Sequence, residues 1–263
     1  MVVVGRVAGL WRYPVKSMAA EELDSAEVSW HGLAGDRRWA FIRDGQVRSG
    51  FPWLTIRERP EMAHYRLRFA QPDRPNASVV LVRTPSAAEF DVADPALAAE
   101  LGPRVRVIKQ DRGIFDTMPL SLLTSQALAG LGRRVGVGLP PGVGQPAGVG
   151  QSPGVGPPAG AGLAAGRFRP NVLVDAPDGE CPAFPGIPED AWVGRILRIG
   201  GLRMRVDKHD LRCVVPTIDP VTLRRSPAIL RTIARDRGNR FGVYGSTVEP
   251  GRVAVGDPVE LEP

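Results

Sequence analysis

The sequence predicts a mostly β protein with a few helices, in the α+β class, built around a barrel or a sandwich and not a Rossmann sheet. Two observations predict this class: short runs rich in Val, Ile and Leu recur along the chain, and turn signals separate them. The 263 residues suffice for one large or two small domains. Aromatic residues make up only 6%, so aliphatic side chains must form most of the core.

The apolar runs and the capping signals predict the individual elements in order. We expect strands at residues 2–10, 27–30, 38–43, 66–69, 79–82, 105–108, 171–174, 196–199, 202–206, 213–218, 243–248 and 258–261. We expect helices at residues 95–101, 121–131 and 227–235. The second helix should begin near Thr124 or Ser125, and the third has Ser226 as its N-cap and Pro227 at its first position.

One segment, residues 136–166, consists almost entirely of Gly, Pro, Ala, Val and Gln. It repeats short units such as Pro-Pro-Gly-Val-Gly-Gln and Pro-Ala-Gly-Val-Gly-Gln. Such a segment buries too little apolar surface to offset the entropy of ordering it. We therefore interpret it as a flexible insertion, and no Gly-Lys-Ser/Thr motif marks it as a phosphate loop.

The charge pattern limits the partners. Lys plus Arg number 34 against 28 Asp plus Glu, and the only lysines are Lys16, Lys109 and Lys208. Arginine binds phosphate and carboxylate with two parallel hydrogen bonds, which suits an anionic ligand, although genome composition also produces such a bias. The basic residues alternate with acidic ones and form no cluster, so we expect no nucleic-acid binding. No leader-like start and no long apolar run are present, so we expect a cytoplasmic protein without a membrane segment.

The chain has two cysteines, Cys181 and Cys213, which supply neither a disulfide framework nor a four-cysteine zinc site. The three histidines have no ligand spacing that predicts zinc. Cys181 lies in a Pro-rich stretch, and we expect no role for it. Cys213 follows Arg212, and His209 lies four residues upstream. Nearby cations favour the thiolate, which binds soft metals, but a buried structural cysteine is the more common case.

Three further patches place polar groups beside tight turns and apolar strands. Residues 13–17, Tyr-Pro-Val-Lys-Ser, set Lys16 and Ser17 after a proline turn, where they can bind a phosphate or simply face solvent. Residues 35–39, Gly-Asp-Arg-Arg-Trp, contain Arg37 in an Asp-Arg pair that can be structural or ligand-binding. Residues 167–171, Arg-Phe-Arg-Pro-Asn, carry two arginines and an amide directly before a strand.

Together and in this order, these patches resemble the MOSC family. The first two resemble its N-terminal β-barrel domain. The third and the Arg-Cys pair resemble the MOSC domain itself, together with Glu-Asp-Ala-Trp at 189–192, Thr-Ile-Asp-Pro at 217–220, Phe-Gly-Val-Tyr at 241–244 and Val-Gly-Asp-Pro-Val at 255–259. The resemblance implies an N-terminal β-barrel-like domain at residues 1–113. A MOSC β-barrel domain at 114–263 would follow and would contain the insertion.

The resemblance also implies a molybdenum-molybdopterin cofactor. Cys213 matches the cysteine that ligates molybdenum, and Tyr244 would lie near the site as a further catalytic residue. Residues matching the pterin- and phosphate-binding positions, or bordering the metal, are Lys16, Ser17, Arg37, Arg169, Asn171, Leu211 and Arg212. The family often has a cysteine where this chain has Asp210, which changes the charge near the proposed metal.

The amidoxime-reducing enzymes of this family imply an activity. They reduce N-hydroxylated compounds by oxo transfer at molybdenum, with electrons from a separate reductase or electron carrier. Two cysteines cannot hold an iron–sulfur cluster, and no pyridoxal-phosphate fold surrounds Lys16. Two alternatives remain open: a carrier of the molybdenum cofactor or of sulfur without turnover, and a β-barrel protein with a structural cysteine and no cofactor.

Overall fold

The computed structural model describes residues 1–46, 49–136, 163–176 and 186–263. Most of the predicted insertion and Cys181 lie outside these residues. The described α-helices are α1 (Pro95–Leu101), α2 (Ser125–Val135) and α3 (Pro227–Arg237). The described strands are β1 (Val2–Arg12), β2 (Glu21–Leu23), β3 (Ser25–Ser29), β4 (Gly32–Leu33), β5 (Trp39–Arg43), β6 (Arg66–Phe69), β7 (Val80–Arg83), β8 (Glu89–Asp91), β9 (Val105–Lys109), β10 (Leu120–Thr124), β11 (Val172–Asp175), β12 (Ile196–Ile199), β13 (Leu202–Leu211), β14 (Arg240–Glu249), β15 (Gly251–Ala254) and β16 (Pro258–Leu261).

Seven strands close a barrel in the order β1, β11, β10, β14, β13, β12 and β16, and β16 pairs back with β1. All neighbours are antiparallel except the parallel pair of β10 and β11. Along these strands, buried side chains alternate with exposed ones, as expected when one face lines a closed core. That core is aliphatic, as the composition predicts, and includes Leu10, Leu122, Val206, Val243 and Val259.

Smaller sheets of the N-terminal half flank the barrel. β6, β7 and β8 form one sheet, β5 pairs with β9, and β3 pairs with both β4 and β15. A second core, which includes Phe41, Met62 and Leu97, packs among these elements. The mostly β fold class is confirmed. The domain boundary near residue 113 stays a prediction, since β1 and β3 pair with strands of the C-terminal half.

The three helices occur where the sequence predicts them, but α2 begins and ends four residues later than predicted and α3 extends two residues further. Residues 120–124 are a barrel strand, so α2 begins only at Ser125, with Thr124 as its N-cap. The Thr124 hydroxyl accepts a hydrogen bond from the Ala127 amide at 3.2 Å. Ser226 is the N-cap of α3, although its side chain makes no capping hydrogen bond. None of the helices in the described segments has the length and apolarity that a membrane crossing requires.

The strand predicted at residues 213–218 is wrong. Cys213 follows the end of β13, and Val215–Thr217 form a short 3-10 turn. The Thr217 hydroxyl donates a hydrogen bond to the Val214 carbonyl at 2.7 Å, and Pro216 has no N–H for a strand ladder. The apolar composition of this run reflects its packing beneath the turn. Cys213 therefore lies in a loop and not in a strand, and this loop borders a cavity.

Candidate functional site

A cavity of about 320 Å³ lies where the ends of β10, β13 and β14 meet the turns that follow β1 and precede β5. This volume falls within the range of small-molecule sites. Every residue that the sequence predicts for the site lies on its wall: Lys16, Ser17, Arg37, Arg169, Asn171, Leu211, Arg212, Cys213 and Tyr244. Patches that are far apart in the sequence therefore share one enclosed space.

Main-chain hydrogen bonds join the first two patches. The Arg37 amide donates to the Tyr13 carbonyl at 2.7 Å, and the Lys16 amide donates to the Trp39 carbonyl at 2.8 Å. The Tyr13 amide in turn donates to Asp36 Oδ1 at 2.7 Å. Because these bonds fix one turn against the other, Lys16 and Arg37 are held on the same wall.

Three of the predicted site residues have a left-handed backbone, with φ of 72° at Ser17, 50° at Arg37 and 54° at Arg169. This conformation is unfavourable for residues with a Cβ and is found mainly where the surrounding structure imposes it. Strain of this kind concentrates at functional sites. The hydrogen bonds between the patches supply the restraint.

The guanidinium groups of Arg37 and Arg169 both lie against the buried Tyr13 ring, with Cζ to centroid distances of 4.6 Å and 4.2 Å. Arg37 also pairs with Asp36 at 2.5 Å. Burial raises the pKa of Tyr13 to about 12 and lowers the pKa of Arg169 to about 10, so both keep their protons at neutral pH. Arg169 makes no ion pair within the described residues, and its buried Nη2 has no hydrogen-bond partner there.

Asn171 connects the third patch to the others. Its amide nitrogen donates to the Trp11 carbonyl and to Asp36 Oδ2, both at 3.2 Å. Its amide oxygen accepts from the Ser121 amide at 3.2 Å and from Arg37 Nη1 at 3.4 Å. All four hydrogen-bonding positions are thus engaged within the protein. Asn171 positions Arg37 and leaves no group of its own free for a ligand.

Lys16 is less free than the sequence suggests. Its ammonium group pairs with Asp116 and donates to the Ile114 carbonyl at 3.3 Å. Burial lowers the pKa of Lys16, while Asp116 acts in the opposite direction. The partly exposed Asp116 therefore compensates the Lys16 charge. The Ser17 hydroxyl makes no hydrogen bond among the described residues.

Arg212 packs between two elements behind the cavity wall. Its Nε donates to the Phe241 carbonyl at 2.6 Å and its Nη1 to the Phe168 carbonyl at 2.8 Å. Its Nη1 also lies 2.8 Å from Asp210 Oδ2, without hydrogen-bond geometry. Arg212 Nη2 and Asp210 Oδ2 are both buried without a hydrogen-bond partner among the described residues.

The thiol of Cys213 is exposed. The cation beside it is Arg57, whose Nη2 lies 3.4 Å from Sγ, while His209 pairs with Asp190 at 3.2 Å. Leu211 lies at the rim and is 68% exposed. The sulfur is therefore open to the cavity and is not sealed in the core, as it would be for a structural cysteine.

Asp210 and Tyr244 both line the same wall of the cavity. The register of β13 against β14 shifts between His209 and Leu211, and such an irregularity redirects side chains. Burial raises the pKa of both the Asp210 carboxyl and the Tyr244 hydroxyl. This pair is able to hold a proton next to the cavity.

Several other polar atoms on the wall are buried without a hydrogen-bond partner among the described residues. Buried polar groups are normally paired, so this concentration indicates a missing ligand. Most of them are donors: Arg167 Nε, Ser121 Oγ and Thr55 Oγ1, in addition to the Nη2 atoms of Arg169 and Arg212. A ligand with several acceptor oxygens, such as a phosphorylated pterin, fits this set. Within the described segments, no cluster of three or more His, Cys, Asp or Glu is arranged to hold a metal.

Two family models match the sequence and together cover most of it. The MOSC N-terminal beta barrel domain matches residues 4–112, and the MOSC domain matches residues 151–260. The chain belongs to the MOSC family. A curated relative of this MOSC chain is mitochondrial amidoxime reducing component 2 from Bos taurus. It is 27% identical over 301 aligned residues, which cover 97% of this chain and 83% of the relative.

Solved structures also resemble the MOSC chain. The YuaD protein of Bacillus subtilis matches with 13% identity and a TM-score of 0.47 over 98% of this chain and 95% of that one. YiiM from Geobacillus stearothermophilus matches with 16% identity and a TM-score of 0.36 over 56% of this chain and 55% of that one. At these TM-scores, neither match adds to the argument about function.

Sequence reasoning missed several residues on the wall of this MOSC cavity, among them Thr55, Arg57, Asp116 and Ser121. Each lies in a segment without a distinctive local pattern. Arg57 alternates with acidic neighbours and resembles an ordinary solvated arginine. Arg167 lies within the third patch, and it pairs with Asp219 at 2.5 Å.

Proposed function

We propose that this protein is a molybdenum-cofactor-dependent oxidoreductase that reduces N-hydroxylated compounds. The observation that carries the proposal is one cavity that combines an exposed thiol with buried, unpaired donors from four separate parts of the sequence. MOSC membership and the name of the bovine relative, an amidoxime reducing component, support the same reading.

Within this proposal, Cys213 supplies the single protein ligand to molybdenum, as a thiolate. The bound cofactor supplies the two-electron removal of oxygen from the N–O bond. The residues proposed to hold the pterin and its phosphate, directly or through a neighbour, are Lys16, Ser17, Arg37, Arg169 and Asn171, with Leu211 and Arg212 bordering the metal. Arg169 contributes an uncompensated charge, and Asn171 acts by holding Arg37.

The reaction R–NH–OH + 2e⁻ + 2H⁺ → R–NH₂ + H₂O consumes two protons. The Tyr244 hydroxyl and the Asp210 carboxyl both line the cavity, and burial raises the pKa of each, so we propose that they hold and pass a proton there. We propose that a separate reductase or electron carrier supplies the two electrons, in agreement with the name of the bovine relative, an amidoxime reducing component.

The test compares protein from a cofactor-competent host with Cys213→Ser, and uses Cys181→Ser as the matched cysteine control. We expect wild type and Cys181→Ser to contain molybdenum and pterin and to reduce an amidoxime with an artificial electron donor. Cys213→Ser should lose both properties. Absence of molybdenum from the wild-type protein, or full activity of Cys213→Ser, would contradict the proposal.

A carrier of the cofactor or of sulfur is the second candidate, because an exposed thiol at a cavity mouth is accessible to a partner. The same experiment separates the two functions. Molybdenum bound without turnover of any amidoxime indicates a cofactor carrier. A persulfide found on Cys213 by mass spectrometry indicates a sulfur carrier.

A further inference from the structure

Arg57 lies directly beside the Cys213 thiol. Its Nη2 lies 3.4 Å from Sγ, and both residues line the cavity. A compound that reaches the sulfur therefore comes close to a guanidinium group. None of the residues assigned to the pterin and its phosphate contacts Arg57 in the described structure.

The charge of Arg57 is not compensated by an ion pair. Its neighbours Arg43 and Arg59 pair with Glu58 and Glu61, respectively. Arg57 pairs with no carboxylate among the described residues, and its buried Nε has no hydrogen-bond partner there. The nearby Asp116 is engaged by Lys16. An anion that enters the mouth would thus meet an available positive charge.

The side chain of Arg57 is also held in place. Its Cζ lies 5.0 Å from the centroid of the Phe51 ring, which is within the range of a cation–π contact. Arg225 donates a hydrogen bond to the Arg57 carbonyl at 3.3 Å, which fixes the main chain of this turn. A restrained guanidinium recognises a carboxylate better than a mobile one, because less entropy is lost on binding.

We propose that Arg57 forms a second anion subsite, separate from the phosphate-binding residues, that selects substrates with a carboxylate or similar anionic group. The selection of substrates rests on the proposed function. The subsite itself does not, because it is a property of the protein without cofactor.

The first experiment measures the subsite without cofactor or turnover. In a Cys181→Ser background, cofactor-free protein is alkylated at Cys213 by iodoacetate, which is anionic, and by iodoacetamide, which is neutral. The thiolate is the attacking group in both reactions. A change in the pKa of the thiol therefore alters both rates equally and cancels in their ratio. We expect Arg57→Gln to lower the iodoacetate-to-iodoacetamide ratio about fivefold, the effect of one unit charge about 4 Å away in water-like surroundings.

Arg66→Gln is the matched control, because it removes the same charge from an exposed site on β6 that does not line the cavity. It should leave the ratio near that of the parent protein. A ratio that does not fall in Arg57→Gln, or that falls equally in Arg66→Gln, would overturn the proposal.

The second experiment uses molybdenum-loaded protein and compares benzamidoxime with 4-carboxybenzamidoxime. We expect Arg57→Gln to retain its molybdenum and to lower the kcat/KM ratio of the carboxylated to the uncharged compound about fivefold. Loss of molybdenum would assign Arg57 to the cofactor and overturn the proposal. If wild-type protein reduces neither compound, the proposed function fails, and the alkylation ratio alone decides on the subsite.

Discussion

Arg37 donates a hydrogen bond from Nη2 to the main-chain oxygen of Arg169 at 3.0 Å, and both residues have a left-handed backbone. This contact joins a turn before β5 to the turn before β11, about 130 residues later in the chain. Two arginines are thereby brought to one wall despite their mutual repulsion. The strain and the repulsion are offset by neighbouring contacts, and variants of these residues should therefore show separate effects on stability and binding.

Arg169→Gly and Arg169→Ala separate the backbone from the charge. Both remove the guanidinium group, and we expect both to lose most of their pterin and molybdenum. Glycine tolerates positive φ, so the free energy of unfolding of the Gly variant should be about 1 kcal/mol higher than that of the Ala variant. Urea denaturation of cofactor-free protein measures this difference. An Ala variant as stable as the Gly variant would show that the left-handed backbone is not strained.

Asn171→Ala should destabilise the fold more than an ordinary amide substitution does. It removes four hydrogen bonds and leaves buried partners unsatisfied, which should lower the free energy of unfolding by about 3 kcal/mol. Asn76→Ala is the control, because Asn76 accepts one hydrogen bond, from the Gly35 amide, and should cost about 1 kcal/mol. Equal losses in urea titrations would contradict the positioning role of Asn171.

Glu189 should make stability depend on pH. It is fully buried and accepts a hydrogen bond from the Thr124 hydroxyl at 2.5 Å, and burial raises its pKa to about 7. The folded state therefore binds a proton that the unfolded chain releases above pH 4.5, so stability should fall as pH rises from about 4.5 to about 7. The loss should be at most about 3 kcal/mol.

Glu189→Gln should flatten this pH dependence, because an amide does not titrate. Glu27→Gln, at an exposed glutamate on β3, is the matched control and should keep the wild-type slope. The measurement is the free energy of unfolding of wild type and both variants between pH 4.5 and 8. An unchanged slope in Glu189→Gln would mean that another group dominates the titration.

Tyr244→Phe should retain molybdenum but lower kcat about 10²-fold, because it removes the hydroxyl that is proposed to pass a proton at the cavity wall. Tyr65→Phe is the control: its hydroxyl donates to Glu100 at 2.9 Å, and it packs in the N-terminal core away from the cavity. Steady-state kinetics with an amidoxime, combined with metal analysis, compares the two variants. A Tyr244→Phe enzyme with wild-type kcat would exclude a proton-transfer role.

Much of the fold is predictable from local pattern. The strands Arg66–Phe69, Ile196–Ile199 and Pro258–Leu261 have the predicted bounds, because alternation and turn residues agree there. Residues 121–124 are predicted as the start of a helix but belong to a strand whose five residues are all buried, and without alternation a buried strand cannot be told from a helix. The strand prediction at 213–218 is wrong for a different reason. The apolar residues of this run pack beneath a turn that Pro216 and Thr217 stabilise.

The site was predictable where residue types are distinctive in sequence. Lys16, Arg37, Arg169 and Cys213 lie in recognisable motifs, and the structure brings them onto one wall. Arg57 has no such motif, because its importance depends on a thiol 156 positions away. Only tertiary structure shows that Arg57 lies beside this thiol and makes no ion pair within the described residues.

The closure of the barrel through β1 has a consequence for biosynthesis. Arg6 on this strand donates a hydrogen bond to the Gly256 carbonyl, 250 positions away, and β16 pairs along the same edge. β1 therefore leaves the ribosome long before β16, and the edge of β1 that pairs with β16 stays unpaired until β16 is made. Such distant pairing slows folding and leaves a valine-rich edge open to association between nascent chains. Productive folding in the cell should depend on shielding of this strand during translation.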